Sequence, residues 1–267
     1  MVEVDRAFGR QAFGGDPAAY DRARPAYPEW VWEMLRDQCD LKSGTRTFEV
    51  GAGAGLATQH LLTAGADPLV AIEPDARSAA YLRASLDYPA LDVRVMAFED
   101  VDLEPRAFDL GFAGTAFHWI EPDAGLAKVG LALQPGGWWT VVWNVFGDPE
   151  RDDPFHEATD LLLNGVSSPS DGQDGALPYA LDILARRREL ERCGLFDLIE
   201  HRLEPWTLTL DASGVRALYA TYSNLTVRGP DEQEKLLDGL AEIAERQFGG
   251  IVQRNIVTAM YVAERRL

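Results

Sequence analysis

Two carboxylates and a glycine loop stand at a spacing suited to gripping a nucleoside. An apolar run over 45–50 contains Glu49, and Gly51, Gly53 and Gly55 follow at every second position. Glycine lets the backbone turn sharply and approach a ligand with no Cβ in the way. Leu56, Leu61 and Leu62 then suit a helix whose N-terminus opens at the loop. A second apolar run over 68–72 ends in Glu73. This is the layout of a βαβ nucleoside site, with a glycine turn first and an acid at the next strand tip to take ribose hydroxyls. The third glycine comes one position earlier than in G-x-G-x-x-G, and Leu56 stands in its place. Glu49 is unwelcome beside a pyrophosphate and suits a ligand carrying positive charge. Both departures disfavour a nicotinamide oxidoreductase. A glycine-rich turn that holds no ligand is the plain alternative.

The surrounding pattern must position these residues. Residues 5–27 read as loop, and Pro28 opens a helix through Leu35. Strands are expected at 45–50, 68–72, 92–96, 108–113 and 138–143, with helices at 56–64, 76–86 and 124–133 between them. This alternation predicts an α/β, Rossmann-like, doubly wound sheet. The pattern changes over 146–195, where two helical stretches flank a Ser/Gly/Asp-rich link at 166–175 that reads as a mobile loop. A strand (197–210), two helices (212–222, 231–248) and a last strand (251–263) follow. One domain is expected over 1–267: an N-terminal lid and helix (1–44), a ligand-binding core (45–145), a small helical cap inserted after strand five (146–195) and a C-terminal completion of the sheet (196–267).

The chain has 267 residues, 46% of them hydrophobic, and a formal net charge of −18. That charge argues against a nucleic-acid partner, whose phosphates need basic patches, and against an anionic membrane. Cys39 and Cys193 form no C-x-x-C pair, so neither a disulfide framework nor a zinc site is expected. The acidic start has no long apolar core, so the expectation is a cytoplasmic protein.

The E-x-G-x-G-x-G run resembles motif I of class I S-adenosyl-L-methionine (SAM)-dependent methyltransferases. Further segments extend the likeness over nearly the whole chain. Tyr20-Asp21-Arg22-Ala23-Arg24-Pro25-Ala26-Tyr27-Pro28 is similar to a Y-x-x-x-R-P-x-Y-P element. Phe108-Asp109-Leu110 through Ala116-Phe117-His118-Trp119, then Leu133-Gln134-Pro135-Gly136-Gly137 and Val142-Trp143-Asn144, follow in order. Together they resemble the methyltransferase type 11 family, in the form common among bacterial small-molecule methyltransferases.

The resemblance implies a seven-stranded sheet whose last strand is antiparallel. It implies methyl transfer from SAM to a small-molecule acceptor at oxygen, nitrogen or carbon, leaving S-adenosyl-L-homocysteine (SAH), with no metal. A non-catalytic SAM-binding regulatory or assembly protein is the alternative, and a monomer or homodimer is expected. Glu49 would sit near the methionine ammonium, Gly51, Ala52 and Gly53 under methionine and ribose, and Glu73 with Pro74 at the ribose. Phe98 and Glu99 would hold adenine; Ala97 stands where the family often has an acid. Tyr20 would cover the methionine or the acceptor, Arg24 would pair with the methionine carboxylate, and Thr115 lies at the fourth strand's end. His118 is the candidate base, or else a structural histidine orienting Trp119. Trp119 is a candidate to line the acceptor pocket or simply to pack the loop, and Asn144 to orient a substrate group at the tip of strand five or only to cap the chain turn there. In a direct displacement the protein mainly aligns the reactants, which can be worth about 7–11 kcal/mol.

Overall fold

The computed structural model describes residues 2–6, 15–163, 166–171 and 176–267. Seven strands form one sheet: β1 Thr45–Val50, β2 Ala66–Ile72, β3 Leu91–Arg94, β4 Phe108–Gly114, β5 Leu133–Phe146, β6 Phe196–Asp211 and β7 Ile251–Arg265, in the order β3-β2-β1-β4-β5-β7-β6. β1 to β5 run parallel, and β7 inserts antiparallel between β5 and β6. The expected doubly wound, seven-stranded sheet with an antiparallel last strand is thus observed. The strand order reverses between β1 and β4, and the crevice beyond their carboxyl ends is where ligands bind in open α/β sheets.

The helices are α1 Pro17–Ala23, α2 Glu29–Cys39, α3 Leu56–Thr63, α4 Ala76–Ser85, α5 Pro122–Ala132, α6 Pro154–Leu163, α7 Ile183–Cys193, α8 Ala212–Tyr219, α9 Ser223–Thr226 and α10 Pro230–Phe248. Alternating residues of the central strands feed two cores. Leu69, Leu110, Phe112 and Val142 pack with Trp32, Leu35 and Leu61 on one face. Phe48, Val70, Phe108 and Trp139 pack with Phe117, Leu126, Val129 and Leu190 on the other. Burying each such aliphatic or Phe side chain contributes about 1.5–3 kcal/mol.

Three expectations are corrected. α1 lies inside the stretch read as loop. It is one short helix with no buried residue, so it leaves no apolar period in the sequence; Asp16, whose carboxylate accepts from the Ala19 amide at 2.9 Å, and Pro17 at the first turn were its signals. Residues 7–14 of that stretch lie outside the described residues.

β5 is longer than 138–143. It reaches back through Pro135-Gly136-Gly137 to Leu133, with a register shift against β4, and its far half is held by β7.

The segment 146–195 is not a single cap. α7 lies on the sheet, packed on α5 and β6, with Leu190 in the main core. α6 instead packs with α8 and α10, bringing Phe155 against Val215, Tyr219, Leu240 and Ala244. α6, α8 and α10 thus form one helical cluster drawn from two chain segments, one before β6 and one after it. The predicted mobile link also includes an ordered part: Val166–Ser167 pairs in parallel with Val2–Glu3, while 172–175 lie outside the described residues.

Candidate active site

The glycine loop leaves the tip of β1 and turns into α3. Gly55 sits at the N-cap of α3 with φ +101°, and a Cβ there would meet Leu82 Cδ1 of α4 at 2.5 Å. It therefore does the helix-packing work expected of a third glycine despite its early position. Gly53 has φ +57° and open space where a Cβ would point. Its amide donates to Glu73 Oε2 at 2.8 Å, and the Asp75 amide donates to Glu73 Oε1 at 2.8 Å. Glu73 thereby ties the β2 tip to the loop. Burial raises its pKa to about 7, against the lowering effect of these two amides.

Glu49 is 1% exposed. Its Oε2 accepts from the Thr58 hydroxyl at 2.6 Å. Burial is the main cause that raises its pKa to about 8, with the Glu73 charge adding to it and the Thr58 bond opposing it. No cation pairs with Glu49 among the described residues. Thr58 was not anticipated from sequence; its only signal was a hydroxyl on the buried face of the helix that the loop opens.

Three cavities share Tyr20 and Thr115 in their walls, and every predicted site residue lines at least one of them. The first, of about 90 Å³, lies over Gly51 and Gly53 between Glu73, Pro74, Phe98 and Glu99. The second, of about 60 Å³, is bounded by Glu49, Ala52, Arg24 and Asn144. The third is a chamber of about 360 Å³ under the cap, reaching His118, Trp119, Trp143 and Tyr179. Trp119 borders the first cavity and the chamber; Arg24 borders the second and the chamber. Thr115 adopts φ +51°, and its hydroxyl hydrogen-bonds the Tyr27 hydroxyl at 2.8 Å, another contact not anticipated from sequence. Arg24 donates to the Thr221 carbonyl at 2.9 Å and stacks near Tyr20, Phe146 and Tyr222, so α1 is clamped between the sheet and the cap.

For His118 and Asn144 the contacts match the structural alternative. The His118 ring is buried, and its Nδ1 accepts from the Trp143 indole N–H at 3.1 Å. A neutral imidazole has one acceptor nitrogen, so Nε2 carries the proton. Burial, reinforced by the charges of Arg24, Arg6 and Arg186, lowers its pKa to about 3. His118 therefore offers a hydrogen-bond donor, and the candidate-base role does not fit this geometry. Asn144 is engaged on both sides. Its Nδ2 donates to the Pro25 and Ala26 carbonyls at 3.1 and 3.4 Å, and its Oδ1 accepts from the Thr258 hydroxyl at 2.7 Å. It lines the cavities while anchoring the segment after α1, with its amide committed to protein rather than to an acceptor.

Residues 48–141, from β1 into β5, match the model of the methyltransferase domain family. Those residues carry a methyltransferase domain. This methyltransferase is an enzyme of the SAM-dependent class. It is 28% identical over 261 residues to an uncharacterized methyltransferase of Schizosaccharomyces pombe, covering 96% of this chain and 97% of that one. It is 28% identical over 144 residues to a tRNA U34 carboxymethyltransferase of Cellvibrio japonicus, covering 52% of this chain and 44% of that one. Its fold is similar to that of phosphoethanolamine N-methyltransferase 2 of Haemonchus contortus, solved with phosphomonomethylethanolamine and S-adenosylhomocysteine. That likeness has a TM-score of 0.57 at 13% identity and covers 95% of this chain and 58% of that one. Among the described residues no helix of this methyltransferase is long and apolar enough to cross a membrane.

Proposed function

We propose that this methyltransferase methylates a small molecule seated in the chamber under the cap, with SAM held over the glycine loop. The observation that carries this reading is Glu49. A buried carboxyl at a ligand cleft, raised to about 8 and without a cation beside it, is matched by a ligand that brings its own positive charge. The methionine ammonium is such a charge. The open Cβ position at Gly53 leaves room for the cofactor's close approach to the backbone. Glu73 keeps one lone pair on each oxygen beyond its two amide bonds and can accept from ribose hydroxyls. Phe98 and Glu99 line the first cavity, where adenine would lie, and Arg24 lines the second, where it would meet the methionine carboxylate.

Bound SAM supplies an electrophilic methyl group and a good leaving group. The chain's own residues bind, align and exclude water. Tyr20, Thr115 and Trp119 form the passage between cleft and chamber. His118 directs a donor at the acceptor and removes no proton, so the acceptor needs a nucleophile that is already competent near neutral pH: an amine, a thiolate, a carboxylate or an acidic hydroxyl. Enclosure under the cap and the charge of −18 support a small acceptor over an RNA. Free Cys39 and Cys193 suit a cytoplasmic setting.

The test is calorimetric titration of SAM and SAH into wild type and Glu73→Ala, followed by SAH release against a panel of small acceptors. Removing a charged hydrogen-bond acceptor should weaken binding by about 1.5–3 kcal/mol. A well-folded wild type that binds neither ligand overturns the reading. Tight binding with no turnover on any acceptor points to a non-catalytic SAM-binding role.

A further inference from the structure

One wall of the chamber is a file of guanidinium groups and aromatic rings. The Arg24 guanidinium lies 5.2 Å from the Tyr20 ring centre, 5.3 Å from Phe146 and 5.1 Å from Tyr222. Tyr222 stacks on Tyr219 at 4.8 Å. The Arg254 guanidinium then lies 5.4 Å from Tyr219 and 5.9 Å from Phe155. The file runs from α1, beside the cofactor cleft, to β7. Arg24 borders the cleft, whereas Arg254 lines the chamber and neither of the other two cavities.

Arg254 is 2% exposed, so its long side chain is held in one place by the cap core. Its Nε donates to Asp153 Oδ2 at 2.9 Å, and its Nη1 donates to the Tyr219 hydroxyl. Asp153 is fixed in turn by the His156 amide at 2.9 Å. Nη2 donates to no described residue. An arginine so arranged keeps one edge bound to its carboxylate and presents the remaining N–H groups of a planar fork to whatever enters the chamber. Desolvation among aromatic rings strengthens a charge-assisted hydrogen bond formed there.

Two acidic groups also line the chamber, and the charge of Asp171 reaches Tyr222. Asp160 is exposed, and Asp171 accepts from the Ser168 amide at 2.7 Å and the Ser170 hydroxyl at 3.5 Å. Arg24 has no carboxylate partner among the described residues. A chain with a formal net charge of −18 thus turns two arginines toward one side of an aromatic chamber.

We propose that the acceptor is an organic anion, a carboxylate or a phosphate monoester, whose oxygens are held by Arg254 Nη2 beside Tyr219, away from the glycine loop. The proposal rests on the reading that this chamber holds the acceptor. The arginine selects the charged end; the aromatic walls of Trp119, Trp143 and Tyr179 take the body of the molecule toward His118. Arg254 is a specificity residue in this scheme and takes no part in bond making.

The experiment uses the full chain saturated with SAH, titrated with benzoate, phenyl phosphate, benzamide and benzylamine. At least one anion should bind tenfold or more tightly than benzamide, and the tighter of the two identifies the group recognised. Arg254→Lys keeps a positive charge against Asp153 and removes the open amino group. It should weaken the anion tenfold or more while SAH affinity stays within twofold. Equal binding of benzoate, phenyl phosphate and benzamide, or a preference for benzylamine, overturns the proposal, and this comparison needs only wild type. Anion binding unaltered by Arg254→Lys also overturns it. Failure of SAH to bind overturns the underlying reading instead.

Discussion

If the cofactor's ammonium sits beside Glu49 as proposed, cofactor binding is a proton-releasing event. The Glu49 carboxyl, raised to about 8 by burial, is about nine-tenths protonated in the ligand-free chain at pH 7. A ligand ammonium beside it favours the ionised form, so binding at pH 7 should release close to one proton from this residue. Ionising Glu49 at pH 7 costs about 1.4 kcal/mol, the value of one pKa unit. Glu73, at about 7, adds up to roughly half a proton when ribose hydroxyls donate to its ionised form. Bound protons are lost on binding, so affinity must rise with pH. SAH affinity should increase about tenfold or more per unit between pH 6 and 7, the slope declining as pH approaches 8. The ligand's own α-ammonium begins to titrate near pH 7.7–8.0, so measurements belong below about 7.5. Calorimetry at pH 6.5 in buffers of differing ionisation enthalpy counts the protons directly. Glu49→Gln preserves a carbonyl for the Thr58 hydroxyl and should lower the count by about one. No proton release by wild type, or unchanged release in Glu49→Gln, would refute the reasoning.

The same carboxyls set the pH dependence of stability. Their folded pKa values lie above the unfolded range, so these two groups make ligand-free stability fall as pH rises between about 5 and 8, opposed below about 6.5 by His118, whose lowered pKa acts the other way. Urea unfolding between about pH 6.5 and 8 should show the decline, and saturating SAH should reduce it. Gly53→Ala places a Cβ in open space at a positive φ; Tm should drop modestly, by about 1–2 kcal/mol of stability, while SAH affinity falls tenfold or more. Gly55→Ala drives a Cβ into Leu82 and should destabilise by about 2–4 kcal/mol, read by urea unfolding. Asn144→Ala leaves the Pro25 and Ala26 carbonyls and the Thr258 hydroxyl without their partner, which should cost about 2–4 kcal/mol in the same assay. With His118 at about 3, kcat measured between pH 5 and 8 should show no histidine ionisation; a limb near 6.5 that disappears in His118→Asn would restore the base.

The candidate cofactor cleft was legible from Glu49, the glycines and Glu73 because local geometry makes it. A strand tip, a tight turn and a helix start lie within one βαβ unit, and each glycine answers to its own φ and its nearest neighbours. The alternation of apolar runs reported the parallel strands for the same reason: burial on both faces of a sheet writes itself into consecutive residues. α1 left no such trace, since it buries no residue and its capping pair was its only mark.

The chamber depends on contacts between distant segments. His118 becomes a donor because Trp143 of β5 lies against it, and Asn144 becomes an anchor because Thr258 and the Pro25–Ala26 carbonyls meet its amide. Arg254 and Asp153 are 101 positions apart and meet only after β7 has inserted beside β5 and α6 has packed on α8 and α10. Sequence by itself determined the fold class and the nucleoside-type cleft, because residue type and short-range spacing carry that information. Tertiary structure decided which polar groups remain free to meet a ligand, since hydrogen-bond partners and desolvation arise from long-range packing.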